Sequence, residues 1–324
     1  MRFVVTGVAG FGGRHLLRAL AEVPGRQVHG ADRLDPAAAA ADPEVGPALE
    51  GYRTLDVTDA GAVADWVRDT RPDAVLHLAA QASGADALRD PVTAFRVNAL
   101  GTIHVLEAVR THAPGARVLL TGSADVYGAG APGERLREDA PLRPRNPYAV
   151  SKASADLLGE LYARTYGLHV VRTRTFSHTG PGQQPRFALA SFADQLARID
   201  AGLAEPEVRV GNLDGVRDYG DVRDVVRAYL ALVERGEGGG VYNVCSGAGF
   251  PLHELLQRLL DGSGVRARVT RDETRVRVRD AEHLVGDPTL LVERTGWRPE
   301  WSIDRTLRDL YDDARARVRR ETGR

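Results

Sequence analysis

The stretch FVVTGVAGFGG, residues 3–13, decides the fold. Four residues rich in β-branched side chains, Phe3 to Thr6, read as a buried strand, and helical spacing of apolar residues begins at residue 13 and runs to 22. Between the two, Gly7, Gly10 and Gly13 fall at i, i+3 and i+6. Turns without Cβ atoms let the backbone approach a diphosphate, and the N-terminus of the following helix offers free N–H groups and the positive end of its dipole. Glycines also serve plain strand-to-helix turns, but at a first strand this spacing points to dinucleotide binding.

Further along, short apolar runs alternate with longer amphipathic ones. Strands are expected at 3–6, 28–31, 74–79, 118–121, 169–173 and 241–244, and helices at 13–22, 59–68, 93–112, 148–166 and 222–234. Alternation of this kind gives a doubly wound α/β domain with a parallel sheet covered by helices. The Ala- and Pro-containing segment 36–48 reads as a surface connection and GEGGG at 236–240 as the turn before the last strand. Helical pieces near 187–200, 252–261 and 304–320, with few strand signals, indicate a smaller lid domain in the C-terminal part. Asp32 closes the second strand 19 residues beyond Gly13, where a carboxylate accepts from adenosine ribose hydroxyls and repels a 2′-phosphate, favouring NAD over NADP. Arg33 beside it is suited to pair that phosphate instead, so NADP stays open. Asp56 and Val57 are placed to flank adenine, a plain loop Asp being the competing reading.

The chain has 324 residues, with 43 basic against 44 acidic side chains and a formal net charge of -1. That balance argues against nucleic acid and anionic membranes as partners. No run of about 18 apolar residues is present to span a bilayer, and the start of the chain, MRFVVTGVAG, lacks the long apolar core and cleavage site of an export signal. Cys245 is the only cysteine, so it forms no internal disulfide and supplies no cluster for a metal. It fits a reducing cytoplasm and reads as a small buried residue. Lys152 is the only lysine, so 42 of the 43 basic residues are arginine.

That lysine ends Tyr148-Ala-Val-Ser-Lys152, preceded by Thr121-Gly122-Ser123 at a strand end. On a helix Tyr148 and Lys152 are i and i+4 and emerge on one face. A nearby ammonium is expected to lower the phenol pKa toward working pH and make Tyr148 a general acid or base, while Ser123 holds the reacting oxygen. An exposed Tyr and Lys pair is the bland alternative. A lysine spared where arginine was otherwise adopted throughout favours the catalytic one, because a compact ammonium has a task there.

With these residues in place, the sequence resembles the extended short-chain dehydrogenase/reductase family, the NAD-dependent epimerase/dehydratase group acting on nucleotide sugars. The resemblance runs through TGVAGFGG, HLAAQ (77–81), the Asn98 segment VNALGT, TGSADVYG (121–128), NPYAVSK (146–152), RTFSHTGPGQ (174–183), VRDYGDVRDVV (216–226) and VYNVCSG (241–247). Within that family the substrate half looks most like GDP-4-keto-6-deoxy-D-mannose reductases and GDP-mannose 4,6-dehydratases. The resemblance implies a Rossmann-type domain over 1–176, with 221–247 returning to it, and an interleaved nucleotide-sugar domain over 177–220 and 248–324. It implies a triad of Ser123, Tyr148 and Lys152, with Asp125 at the position where family dehydratases hold a base. Cofactor contacts are implied for Gly7, Gly10, Phe11, Gly13, Asp32, Arg33, Asp56, Val57, Leu78, Ala79, Ala80, Gln81, Asn98, Tyr148 and Lys152, and substrate contacts for Ser123, Ser177, Arg217, Arg277 and Asp280.

Departures from the family pattern mark this chain. Ala124 stands where glucose-type dehydratases have an acid, Asp125 is shorter than the usual Glu, Ser177 replaces a common Asn, and Val278 replaces a proline between Arg277 and Asp280. Asp125 reads equally as a turn cap. The six arginines between 266 and 279 read mainly as a solvated face, His178 as a packing residue and His77 as a core histidine. Three functions follow: reduction of an NDP-4-keto-6-deoxyhexose by NAD(P)H, an epimerase or 4,6-dehydratase that keeps NAD bound, and a non-catalytic dinucleotide sensor that makes the triad dispensable. The resemblance also implies a homodimer paired through helices 93–112 and 148–166.

Overall fold

A computed structural model describes residues 1–275 and 283–323. The first half runs β1 (Arg2–Thr6), α1 (Phe11–Ala21), β2 (Gln27–Asp32), α2 (Pro36–Ala41), β3 (Gly51–Thr54), α3 (Ala60–Thr70), β4 (Ala74–His77), α4 (Gly84–Arg89), α5 (Pro91–Phe95), α6 (Gly101–His112) and β5 (Arg117–Thr121). The second runs α7 (Pro147–Tyr166), β6 (Val170–Thr175), β7 (Ser177–Thr179), α8 (Ala188–Asp200), β8 (Glu207–Val210), β9 (Val216–Asp221), α9 (Val222–Arg235), β10 (Val241–Val244), β11 (Gly249–Pro251), α10 (Leu252–Ser263), β12 (Arg268–Arg271), β13 (His283–Leu284), α11 (Thr289–Thr295) and α12 (Ile303–Thr322).

Seven strands form one sheet in the order β10-β6-β5-β4-β1-β2-β3, and every neighbouring pair is parallel. This is the doubly wound architecture the sequence implied. Side chains alternate across it: Phe3 and Val5 of β1 pack with Leu16, Leu17 and Leu20 of α1 and Val226 and Leu232 of α9, whereas Val4 packs with Val63 and Trp66 of α3 and Val105 and Leu106 of α6. Burial on both faces explains why these strands read as continuous apolar runs.

A second body holds a four-stranded sheet, in which β9 pairs with β7, β11 and β13, and a parallel β8–β12 pair. Its core is formed by leucines of α8, α10 and α12, including Leu196, Leu255 and Leu310. Among the described residues no helix is long and apolar enough to cross a membrane.

Several elements differ from expectation. β3 is an additional strand: GYRT at the sheet edge has no apolar run to announce it, and its residues are at most half-buried. Residues 36–41, read as a connection, form a short helix capped by Asp35, which accepts from Ala37 N. The expected helix over 93–112 begins at Pro91 and is interrupted by a π turn over Arg96–Leu100, which turns Asn98 inward. The strands of the second body are short, and β9, VRDYGD, buries Arg217, Asp218 and Asp221, polar residues that no apolar periodicity announces.

Candidate active site

The glycine loop is as tight as a diphosphate cradle needs. Gly7 has φ +75°, and a Cβ there would lie 2.8 Å from Ala79 N; at Gly13 one would meet the Gly7 carbonyl at 2.2 Å. Helix α1 follows the N-cap Gly10, with no side-chain cap and no acidic residue in its first turn. Its first N–H groups are therefore available to an anion, unlike those of α3, α7, α9 and α12, whose caps are Asp59, Asn146, Asp221 and Ser302. Asp32 leans over the loop: Oδ2 accepts from Ala9 N at 3.0 Å and Oδ1 from Arg33 N at 2.7 Å. Two donors leave lone pairs for ribose hydroxyls. Asp56 accepts from Thr58 N at 2.8 Å; burial pushes its carboxyl pKa up, but the Thr58 bonds, Arg33 and Arg96 outweigh that and hold it below the ordinary value. Val57 is buried against Gly101, and Leu78 packs toward Gly12. The residues present thus fit a dinucleotide.

Asn98 links that loop to the next helix. Its Oδ1 accepts from Gln81 N at 2.9 Å, and its Nδ2 donates to Gln81 O at 3.2 Å and to Ser151 Oγ at 2.9 Å. Ser151 Oγ in turn donates to the Tyr148 carbonyl at 2.8 Å. Ala79 N donates to Thr6 Oγ1 at 3.2 Å, and Thr6 Oγ1 meets His77 Nδ1 at 2.8 Å. Burial, reinforced by Lys152, drives the His77 pKa down to about 3, so this imidazole is a neutral core residue as expected.

Ser123, Tyr148 and Lys152 come together where β5 ends beside α7. The helix starts with Asn146 accepting from Ala149 N at 2.8 Å and Pro147 in its first turn. Tyr148 therefore lies in the first turn and Lys152 one turn on, on the same face. The Ser123 side chain is hydrogen-bonded to the Tyr148 phenol. Lys152 Nζ donates to the Thr121 carbonyl at 2.6 Å, and burial lowers its pKa to about 8. The expected fall of the Tyr148 pKa is not found: burial raises it, the Asp125 carboxylate and Tyr229 add to the rise, and the Ser123 bond opposes it. The ammonium is occupied by a carbonyl, whereas the negative charge of Asp125 disfavours ionisation of the phenol. Tyr148 is therefore held as a protonated donor. Asp125 is not the turn cap; Ser123 Oγ fills that role, accepting from Asp125 N at 3.2 Å.

On the substrate side, Ser177 pairs with Tyr219 across β7 and β9, and Arg217 sits buried opposite Phe250 of β11. Arg277 and Asp280 lie outside the described residues. His178 stacks on Phe11, centroids 5.9 Å apart and planes 5° apart, and is a packing residue. A cavity of about 280 Å³ is lined by Ser177, Tyr219, Phe250, Trp297, Trp301 and neighbours, and none of the triad reaches it. Its carboxylates are already paired, Asp221 with Arg223 and Thr306 and Asp224 with Arg227 and the 300 and 301 N–H groups.

Two buried polar knots went unread in the sequence. Fully buried Asp218 accepts from Ser246 Oγ at 2.6 Å, Ser246 N at 2.8 Å and Gly247 N at 2.9 Å, fixing the loop after β10. Asp156 of α7 pairs with both Arg172 and Arg174 of β6. The signal of this second knot was positional: an acid at i+4 from Lys152 and two arginines alternating inside a buried strand.

The sequence profile of the family described as GDP-mannose 4,6 dehydratase matches residues 4–310. A Pseudomonas aeruginosa protein named GDP-6-deoxy-D-mannose reductase is 37% identical over 99% of both chains. The solved structure of Pseudomonas aeruginosa RMD complexed with NADPH superposes with a TM-score of 0.85 at 36% identity, covering 98% of this chain and 99% of that one. A Thermus thermophilus UDP-glucose 4-epimerase in complex with NAD does so with a TM-score of 0.86 at 32% identity, covering 97% and 99%.

Proposed function

This chain belongs to the GDP-mannose 4,6 dehydratase family, and on that premise we propose that it reduces the C4 ketone of a nucleotide-bound 4-keto-6-deoxyhexose of the GDP-4-keto-6-deoxymannose type. The full-length 37% identity to a protein named GDP-6-deoxy-D-mannose reductase is the observation on which this rests. The chain's own chemistry agrees with it, because a phenol kept protonated by burial and by Asp125 is suited to giving a proton.

When bound, NAD(P)H supplies the hydride that goes to C4. Gly7, Gly10, Phe11 and Gly13 hold its diphosphate, Asp32 and Arg33 its adenosine ribose, Asp56 and Val57 its adenine, and Leu78 to Gln81 with Asn98 line its path. Tyr148 gives its proton to the C4 oxygen, which becomes the hydroxyl, and the phenol is restored from solvent. Ser123 donates to the same oxygen as its charge grows. Lys152, within reach of the nicotinamide ribose in this assignment, favours the transient phenolate. Arg217, with Arg277 and Asp280, holds the nucleotide diphosphate and Ser177 the sugar side. In this reading 1–176 with 221–247 is the cofactor part, 177–220 with 248–324 the nucleotide-sugar part, and the enzyme is cytoplasmic.

We also propose a homodimer. Phe95 of α5, Leu100 of the π turn, and Leu157 and Leu161 of α7 expose 38%, 41%, 56% and 45% of their surfaces, apolar side chains on the segments 93–112 and 148–166 named for pairing.

A second reading, an epimerase or 4,6-dehydratase that retains NAD, is favoured by Asp32 at the ribose position. Denaturing the purified protein and identifying the nucleotide released separates the two: stoichiometric oxidised NAD refutes the reductase. The direct test is GDP-4-keto-6-deoxymannose with either reduced cofactor, followed by product identification. Turnover there, lost about 100-fold or more in Tyr148→Phe, is the expected result; no product, while another nucleotide sugar reacts, refutes it.

A further inference from the structure

A single buried guanidinium joins the two halves of the catalytic apparatus. Tyr148, Lys152 and Asp156 fall at i, i+4 and i+8 of α7 and so share one face. Asp156 Oδ2 accepts from Arg174 Nε at 2.6 Å and Oδ1 from Arg172 Nη1 at 2.7 Å. Arg174 Nη1 continues to the Tyr127 hydroxyl at 3.0 Å and the Glu138 carbonyl at 2.8 Å, and its Cζ lies 5.0 Å from the centre of the Tyr127 ring. Tyr127 ends the 3-10 turn Ala124–Tyr127, which starts directly after Ser123 and contains Asp125. Its hydroxyl donates to Asn243 Oδ1 at 2.7 Å, anchoring the turn to β10. Tyr127, Asp156, Arg174 and Asn243 are all buried.

We infer that Arg174 and Tyr127 are positioning residues that set where the Ser123–Asp125 turn stands relative to the Tyr148–Lys152 helix. A guanidinium is a rigid plane with donors in fixed directions, so satisfying Asp156 at one edge and Tyr127 at another defines the separation of the two elements. Burial makes any slip costly, because a displaced partner leaves a charged or polar group without a mate. The turn has a further backbone tie, Arg143 N to the Val126 carbonyl at 2.8 Å, and its Ala124, Val126 and Tyr127 share an apolar cluster with Ala153 of α7; the Arg174 guanidinium adds the directional polar link between turn and helix. Misplacing a proton donor by a fraction of an ångström relative to the oxygen it serves slows transfer more than it weakens binding. The inference rests on the proposed reaction only for the identity of the substrate.

The test exploits the lone lysine. Protein grown on [13Cε]lysine shows one side-chain signal, so its pH titration reads Lys152 without any substrate. In the wild type the midpoint is expected near 8. Tyr127→Phe removes the hydroxyl bonds to Arg174 and Asn243 without adding bulk and keeps the ring beside the guanidinium, and Arg174→Gln removes the guanidinium's links to both Asp156 and Tyr127. Both are expected to let water reach the ammonium and raise the midpoint by about half a unit or more. Both should lower kcat roughly 10- to 100-fold, with KM and dinucleotide Kd within about twofold. The double variant should lose less than the product of the two single losses, since both act on the Arg174–Tyr127 connection. A Tyr127→Phe protein that loses stability yet keeps the wild-type lysine midpoint and kcat shows the network to be structural only and overturns the inference. If the wild type reduces no 4-ketosugar, the proposed reaction fails, and the lysine midpoint alone then decides the positioning role.

Discussion

Replacing Lys152 by methionine should stabilise the protein while abolishing its turnover, and only below a defined pH. The ammonium is buried and its pKa falls from 10.5 to about 8. At 1.36 kcal/mol per pH unit that displacement represents about 3 kcal/mol of folding free energy. Below pH 8 both the folded and the unfolded chain hold the proton, and the fold bears the full cost of burying the charge. Between 8 and 10.5 the folded protein has released the proton while the unfolded chain retains it, so wild-type stability rises with pH through this window. Methionine keeps the length of the stem and removes the charge, but it also removes the donor to the Thr121 carbonyl, at a loss of about 1–2 kcal/mol. The variant should therefore be about 1–2 kcal/mol more stable than the wild type at roughly pH 6.5, and the advantage should vanish or reverse by about pH 10. Urea unfolding of both proteins across that range, with reductase assays alongside, measures it. A variant less stable by 1 kcal/mol or more at the low end, or a difference that does not change with pH, refutes the burial argument.

Cofactor choice and assembly are open to equally direct tests. Asp32→Ser removes the carboxylate that accepts from Ala9 N; the ratio of NADPH to NADH affinity, by fluorescence titration, should shift toward NADPH roughly tenfold. An unchanged ratio would assign the choice to Arg33 and its surroundings. Leu157→Glu places a charge on the exposed apolar face of α7 and should turn a dimer into a monomer by light scattering at micromolar concentration. A variant that stays dimeric moves the interface elsewhere.

How far the sequence reveals this molecule depends on whether a residue's task is local. The central sheet was legible because strands buried on both faces must be apolar throughout, as Val4 and Val5 of β1 are, and because Gly7 and Gly13 sit where a Cβ would strike backbone. The triad was legible because i and i+4 on a helix put Tyr148 and Lys152 together before any tertiary contact is known. β3 was hidden because GYRT at the sheet edge is only half-buried and has no face to declare. β9 was hidden for the opposite reason: it is buried, but through Arg217, Asp218 and Asp221, and partners that make this burial possible include ones far along the chain, Ser246 and Gly247 for Asp218 and Thr306, beside the nearby Arg223, for Asp221. The rise of the Tyr148 pKa likewise depends on Asp125, whose carboxylate approaches the phenol only once the 3-10 turn has folded against α7.

The same contrast explains why one lysine stands among 42 arginines. Two buried arginines beside the same helix stand in rich acceptor sets: Arg172 donates to Asp156, Glu160 and the Gly239 carbonyl, and Arg174 to Asp156, Tyr127 and the Glu138 carbonyl. Five fixed donors on a permanent charge need such surroundings. The hydrogen bond made by Lys152 is to a single acceptor, the Thr121 carbonyl at 2.6 Å, in a site dry enough to lower its pKa to about 8. A guanidinium there would stay charged at every accessible pH and leave donors without acceptors, whereas an ammonium can shed its proton or turn its remaining donors to a bound ribose and to the phenolate of Tyr148. The lysine is therefore kept by what its site lacks, a second and third acceptor, as much as by the reaction proposed for it. That separates two causes that composition alone leaves merged: arginine suits a buried position that supplies a network, and lysine one that supplies a single carbonyl.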